Sequence, residues 1–370
     1  MRVLFVIESL GRGGAERQLV TLGTGLVARG HDVHIGCLNE PGPLGAEAVE
    51  AGLVLHAPRS RLSRRFSSSV FLVRLVRHLK PDVLHPYLTQ NNVKVSLLRV
   101  FYPGTSIAWG VRATSLNLGD YGIKDRIIAW LARHLAPTAS LAICNSTVAR
   151  DELVEFGLRP ELVHVVPNGI DADRFRPRPA DGYAFRGLHL SGYGGQVVGM
   201  LARWDPMKGQ EAFLEMAALL VNRLPTCMFV LVGRHTPDQA KAYLEKAHCR
   251  GLADRLVLVP EIDNSVEALN SFDVLISCSQ FGEGFSNVIA EAMACGVPVV
   301  VTDVGDAGRI VGDLSPVVPV GDAAAMAEAT WQLLGASTVS AEDLRKRVLS
   351  LFSVDQLVET TQGLLSDLNH

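Results

Sequence analysis

Glu283 and Glu291, with seven residues between them, are the two side chains whose spacing first points to ligand chemistry. They lie in the stretch FGEGFSNVIAEAMACGVPVVVTD, residues 281–303. Gly282 and Gly284 lead into a helix expected to start near Ser286, which can cap it, and Gly296 with Pro298 stops it before an apolar strand. A helix that opens straight after a glycine loop aims unpaired N–H groups and the positive end of its dipole at the space ahead of it, a setting that suits a diphosphate. Glu291, about one turn inside, can hold ribose hydroxyls beside the phosphates. Glu283, on the loop, can reach another part of the same ligand.

A bare pair of glutamates at this spacing is also what a solvated helix face carries. The surrounding residues, EGFSNVIAEAMACGVPVVVTDVG, resemble the signature of the retaining nucleotide-sugar glycosyltransferases of the GT-B fold, in their fourth sequence family. The resemblance implies that Glu283 holds donor-sugar hydroxyls and Glu291 the ribose, with Gly284, Phe285, Ser286 and Asn287 as further donor contacts. It also implies that Arg203 and Lys208, in RWDPMKG ahead of the helix GQEAFLEMAALLVNRL, hold the donor diphosphate. Two cations and a helix terminus would neutralise the charge that builds on a departing nucleoside diphosphate. The loop 259–263 would flank the nucleotide base, with Glu261 among its contacts.

At the other end of the chain the strand VLFVI precedes ESLGRGGAERQLV, whose glycines resemble the first loop of the same enzymes. Gly13 and Gly14 are the implied contacts there, to donor phosphates or acceptor, and Glu16 is an acceptor-side candidate. A dinucleotide fingerprint fails at Glu16, which stands where its third glycine should be. Two more candidates sit at expected strand ends whose loops should open onto the cleft between domains: His85, on the acceptor side, which reads equally as a satisfied core histidine, and Arg112. Many relatives carry histidine at the position matched by Arg112. Arginine supplies a fixed cation and a planar fork of donors there but exchanges no proton near neutral pH. Asp171 and Asp173 follow a Pro-Asn-Gly turn, where aspartates cap turns, and no metal is expected.

The elements that must position these residues read as alternating strands and helices. Apolar runs at 3–7, 82–85, 106–111, 141–145 and 163–166, separated by helical patterns, predict one doubly wound parallel sheet. A second series, QVVGMLA, CMFVLVG, RLVLVP, DVLIS, PVVVT and a short run at 315–319, predicts another. The expected architecture is α/β, GT-B: two Rossmann-like domains facing across a cleft. Residues 1–170 form the acceptor domain, 171–350 the nucleotide-sugar domain, and 351–370 a last helix that crosses back.

With 370 residues the chain is too long for one ordinary core. Six scattered cysteines show no C-x-x-C spacing and read as reduced core thiols. No apolar run is long enough to span a membrane, and Met1-Arg2-Val3 enters a strand without room for a signal peptide, so a cytoplasmic protein is expected. The net charge of −3 divides unevenly, with 19 basic against 13 acidic residues in 1–170 and 16 against 25 in 171–370. Nucleic-acid binding would need a denser basic surface. Between Glu50 and Asp82 there is no acidic residue, while Arg59, Arg61, Arg64, Arg65, Arg74, Arg77 and Lys80 fall beside apolar residues. Such a helix suits an anionic membrane surface on the inner face of the cell membrane, or else packs its apolar side on the sheet and solvates its arginines.

The resulting expectation is a retaining, metal-independent, cofactor-free hexosyltransferase. It would move sugar from a UDP- or GDP-linked donor to a hydroxyl of a lipid-linked or polysaccharide acceptor. A nucleotide-sugar epimerase of the same fold, which would consume donor without acceptor, and an inactive scaffold subunit are the alternatives.

Overall fold

A computed structural model describes residues 1–58, 64–112, 122–335 and 339–368, apart from the side chains of 64–67. Arg59 and Arg61, and the side chains of Arg64 and Arg65, therefore lie outside the described residues. The chain divides into two compact units, residues 1–169 with 354–370, and residues 170–353.

The first unit runs β1 (Arg2–Ile7), α1 (Gly14–Ala28), β2 (Asp32–Cys37), α2 (Gly45–Glu50), β3 (Val54–His56), α3 (Arg64–Leu79), β4 (Val83–Pro86), α4 (Thr89–Leu97), β5 (Ser106–Val111), α5 (Ile123–Leu135), β6 (Leu141–Cys144), α6 (Thr147–Glu155) and β7 (Val163–Val165). All its strand pairs are parallel, in the order β3-β2-β1-β4-β5-β6-β7. Burial on both faces explains why most of these strands read as unbroken apolar runs. β3, three residues at the sheet edge, is too short and too exposed to have left that signal.

α3 packs Leu72, Leu75, Val76 and Leu79 into the core under the sheet and leaves Arg74, Arg77 and Lys80 exposed. Its described apolar residues are thus mostly spent on the fold, the outcome expected of an ordinary Rossmann helix.

The second unit runs α7 (Pro179–His189), β8 (Val197–Leu201), α8 (Gln210–Leu220), β9 (Met228–Val232), α9 (Pro237–Cys249), β10 (Leu256–Val259), α10 (Ser265–Ser271), β11 (Val274–Ser277), α11 (Asn287–Ala294), β12 (Val299–Thr302), α12 (Ala307–Val311), β13 (Val317–Val318), α13 (Ala323–Gly335) and α14 (Ala341–Leu351). Its parallel order is β10-β9-β8-β11-β12-β13. The expected strand at 315–319 shrinks to the two residues of β13. α15 (Val354–Asp367) belongs to the first unit, where Leu357, Val358 and Leu365 join the core that includes Leu19 and Leu22 of α1.

Strand order reverses where β8 meets β11 in the second unit and where β1 meets β4 in the first. In open parallel sheets the loops that leave such a switch point diverge, and ligands bind between them at the carboxyl ends of the strands. The loop after β8 carries Arg203 and Lys208, and the loop after β11 carries Glu283. Strand adjacency therefore unites residues distant in sequence.

Candidate functional site

Lys208 and Glu283 meet at the switch point of the second unit. Lys208 Nζ donates to Glu283 Oε1, and both side chains are largely buried. Ser279 Oγ donates to the same carboxylate oxygen at 2.8 Å. One carboxylate oxygen is thus held by an ammonium and a hydroxyl, a charge-assisted arrangement stronger than a neutral hydrogen bond.

The two loops fit closely because of glycine. Gly209, between Lys208 and α8, has φ +73, and a Cβ there would collide with the carbonyl oxygen of Cys278. Gln280 N donates to the Met207 carbonyl at 2.7 Å and locks the loops together. From the other side, Thr302 Oγ1 donates to the Ser279 carbonyl at 2.6 Å and Asp306 N to the Gly284 carbonyl at 3.0 Å. A Cβ on Gly305 would meet that Gly284 oxygen at 2.6 Å. The segment bearing Glu283 is consequently braced from two sides, by the loop after β8 and by the end of β12 with the loop that follows it.

Arg203 takes a different partner. Its Nε and Nη2 donate to Asp205 Oδ2 at 3.1 and 3.0 Å, and its side chain is more than half exposed. Asp205 Oδ1 also accepts from Met207 N at 3.1 Å, so this aspartate caps the turn that presents Lys208. Sequence reading missed Asp205 and Ser279; the Arg-x-Asp-Pro wording held the only signal for the first. Glu261 accepts from Arg234 Nε and Nη2 at 3.0 and 2.8 Å, so its side chain is engaged in an exposed pair not foreseen from the sequence.

α11 opens at Asn287 with Ser286 in the N-cap position, but the serine side chain makes no capping hydrogen bond, contrary to the expectation. Gly284, Phe285 and Ser286 are buried, and Glu291 lies in the second turn, half-buried. The helix thus enters from a packed loop.

In the first unit Gly13 is the N-cap of α1, Gly14 its first residue, and Glu16 an acid in its first turn. The Glu16 carboxylate folds back against Gly13, where a Cβ would meet it.

Of the two readings of His85, the structure has the core one: the ring is fully buried, because β4 pairs in register with β1 and sets His85 beside Phe5. Its Nδ1 lies 2.5 Å from the Ala108 carbonyl and donates to it, while Nε2 has no partner among the described residues. Burial first, and then the Arg112 charge, push its pKa down to about 3, against a raising contribution from the Ala108 bond. The ring is neutral throughout the physiological range.

Arg112 is also enclosed, with Nη2 donating to Tyr87 Oη at 2.8 Å and Nη1 to Asn168 Oδ1 at 3.2 Å. The guanidinium lies 4.8 Å from the Tyr87 ring centroid, and Nε has no partner among the described residues. A buried guanidinium with no carboxylate partner among the described residues is costly to desolvate, and its Nε, unpartnered among them, suits an anion.

Asp171 Oδ1 accepts from the N–H groups of Asp173 and Arg174, each at 3.0 Å, as a turn cap does. Among the described residues no group of three His, Cys, Asp or Glu is placed to hold a metal ion. Among them too, no helix is long and apolar enough to cross a membrane.

Residues 12–174 match the family model described as Glycosyltransferase Family 4, and residues 195–336 match Glycosyl transferases group 1. The chain is 30% identical over 336 residues to the phosphatidyl-myo-inositol mannosyltransferase of Mycobacterium leprae (strain TN), covering 87% of this chain and 84% of the relative. It is 33% identical over 177 residues to the D-inositol 3-phosphate glycosyltransferase of Rhodococcus jostii (strain RHA1), covering 45% of this chain and 38% of that protein. Among solved structures it resembles Anabaena Alr3699/HepE in complex with UDP-glucose, with TM-score 0.86 at 21% identity over 99% of this chain and 100% of that one. It also resembles WaaG, a glycosyltransferase involved in lipopolysaccharide biosynthesis, with TM-score 0.75 at 16% identity over 98% and 99%.

Proposed function

The chain belongs to glycosyltransferase family 4 and is a glycosyltransferase of the GT-B fold, and we propose that it transfers a hexose, with retention, from a UDP- or GDP-linked donor to a hydroxyl of a lipid-linked or saccharide acceptor. The observation that carries the reading is the Lys208–Glu283–Ser279 cluster at the switch point of the second unit. Lys208 pairs with Glu283. A donor diphosphate attracts the ammonium, and the carboxylate released from it, still held by Ser279, accepts hydrogen bonds from sugar hydroxyls. Glu291, in the second turn of α11, takes the ribose, while the backbone of Gly284 to Asn287 meets the phosphates.

In the reaction the bond from the anomeric carbon to the diphosphate oxygen breaks, and a bond to the acceptor oxygen forms on the same face. The acceptor proton passes to the departing phosphate oxygen. Lys208 and Arg203 stabilise the charge gathering on that leaving group, a task a divalent metal performs elsewhere. Arg112, whose Nε has no partner among the described residues, is assigned to an anionic group of a substrate. The relatives named for phosphatidyl-myo-inositol and inositol phosphate support a phosphate-bearing or lipid acceptor, and the neighbour with UDP-glucose supports a UDP donor.

The test pairs thermal shift across UDP- and GDP-sugars with product analysis, since a bound donor raises stability according to its affinity. The expected product keeps the donor's anomeric configuration, and turnover persists in EDTA. An inverted anomer sinks the retaining assignment. Loss of turnover in EDTA, restored by magnesium or manganese, sinks metal independence.

A further inference from the structure

α5 is a 13-residue helix in which Ala132 alone is buried. Ile123, Ile127 and Trp130 are 76%, 53% and 59% exposed. At i, i+4 and i+7 they form one outward stripe, while Ile128, Leu131 and Leu135 turn the half-buried side inward. A groove is lined by Ile123, Arg126, Ile127 and Trp130. Helical spacing sets the exposed Arg126 and Arg133 on one flank of the stripe, puts Lys124 in the first turn on the side of Leu131 and Leu135, and sends Asp125 to the opposite side with Ala132. His134 continues the stripe, its ring 4.3 Å from that of Trp130.

The surroundings repeat this chemistry. α4 packs against α5. The turn that follows α4 exposes Val100 and Phe101, and Arg77 of α3 donates to the Phe101 carbonyl at 3.0 Å. Arg99 donates to the carbonyl of Thr138, just after α5, tying the same turn to that helix's end. Exposed Arg74 and Arg77 of α3, and Lys80 just after it, add positive charge on the other side of the turn. An exposed apolar stripe edged by cations, with an indole among its members, fits the polar–apolar boundary of an anionic bilayer. A second copy of the same basic face would meet it with like charge.

We propose that α5 docks the protein on an anionic lipid surface, with Ile123, Ile127 and Trp130 entering the headgroup layer and Arg126 and Arg133 pairing with lipid phosphates. The proposal deepens the lipid-acceptor reading and rests on it. It moves the membrane contact from α3, whose apolar side is committed to the core, to α5.

The full chain is tested by co-sedimentation with phosphatidylglycerol–phosphatidylcholine vesicles and with phosphatidylcholine alone, at low salt. Binding should need the anionic lipid and fall at least tenfold in Ile127→Glu with Trp130→Glu, and in Arg126→Glu with Arg133→Glu. The fluorescence blue shift on vesicle addition should vanish in Trp130→Phe. Vesicle binding unchanged in both α5 variants overturns the proposal. So does binding that survives them but is lost in Arg74→Glu with Arg77→Glu, and so does a stripe variant that only dissolves a dimer in solution. Donor-induced thermal stabilisation is read on the same proteins: its absence from the wild type sinks the donor reading without touching the vesicle result.

Discussion

Lys208 and Glu283, 75 residues apart, share a hydrogen-bonded ion pair that spans the two loops diverging from the switch point of the second sheet. Each offsets part of the desolvation cost of the other, so truncating either leaves a largely buried charge without this partner. Lys208→Ala should lower kcat about a hundredfold, as expected for loss of one charge-stabilising donor. Glu283→Ala should lower turnover by a similar factor while donor affinity changes little. Glu291→Ala should instead weaken nucleoside diphosphate binding itself. Steady-state kinetics with calorimetric titration of the nucleotide separate these outcomes, and intact turnover in Glu283→Ala refutes the donor-sugar role.

Arg203 is held by a single carboxylate oxygen of Asp205, which also caps the turn bearing Lys208. Arg203→Ala should cost about a hundredfold in rate by the same electrostatic argument. Asp205→Asn keeps the cap acceptor but drops the charge, so it should spare the fold and raise affinity for the anionic donor. Asp205→Ala loses the cap as well and should destabilise by about 1 kcal/mol. Denaturant unfolding and donor titration on the pair of variants check the split.

His85 makes the first unit acid-sensitive. Its folded-state pKa of about 3 lies below the ordinary 6.5, so between those values the unfolded chain binds a proton that the folded chain does not. Stability is fully present above pH 6.5 and falls as pH drops towards 3. Relative to His85→Phe, the wild type should lose roughly 2 kcal/mol between pH 7 and pH 5, at about 1.4 kcal/mol per pH unit. Urea unfolding at the two pH values measures it. Equal pH dependence in both proteins would show that the ring is not held neutral by burial.

Five of the six cysteines are buried, and Cys249 is exposed. Burial pushes the thiols of Cys37, Cys144, Cys227, Cys278 and Cys295 up to about 12, which leaves almost no thiolate at neutral pH. A thiol reagent should therefore titrate one group in the native protein and six after denaturation. Cys249→Ser should leave none reactive in the native state; labelling of a second thiol would place another cysteine at the surface.

The sequence by itself determined the alternation of strands and helices in both halves, because parallel strands buried on both faces must be apolar along their whole length. It also determined which loops carry Arg203, Lys208, Glu283 and Glu291, since glycines and a helix start are local signals. Tertiary structure decided the partnerships. Strand order is not local, so only the adjacency of β8 and β11 brings Lys208 to Glu283 rather than Arg203, which Asp205 claims instead. The pairing register of β4 with β1 decided that His85 is enclosed, though its position near a strand end looked open. The same holds for the helices. Apolar residues at helical spacing in α3 and α5 look alike in sequence, yet packing turns Leu72, Leu75, Val76 and Leu79 into the core and leaves Ile123, Ile127 and Trp130 facing outward, because which side of a helix meets the sheet is fixed by the fold around it.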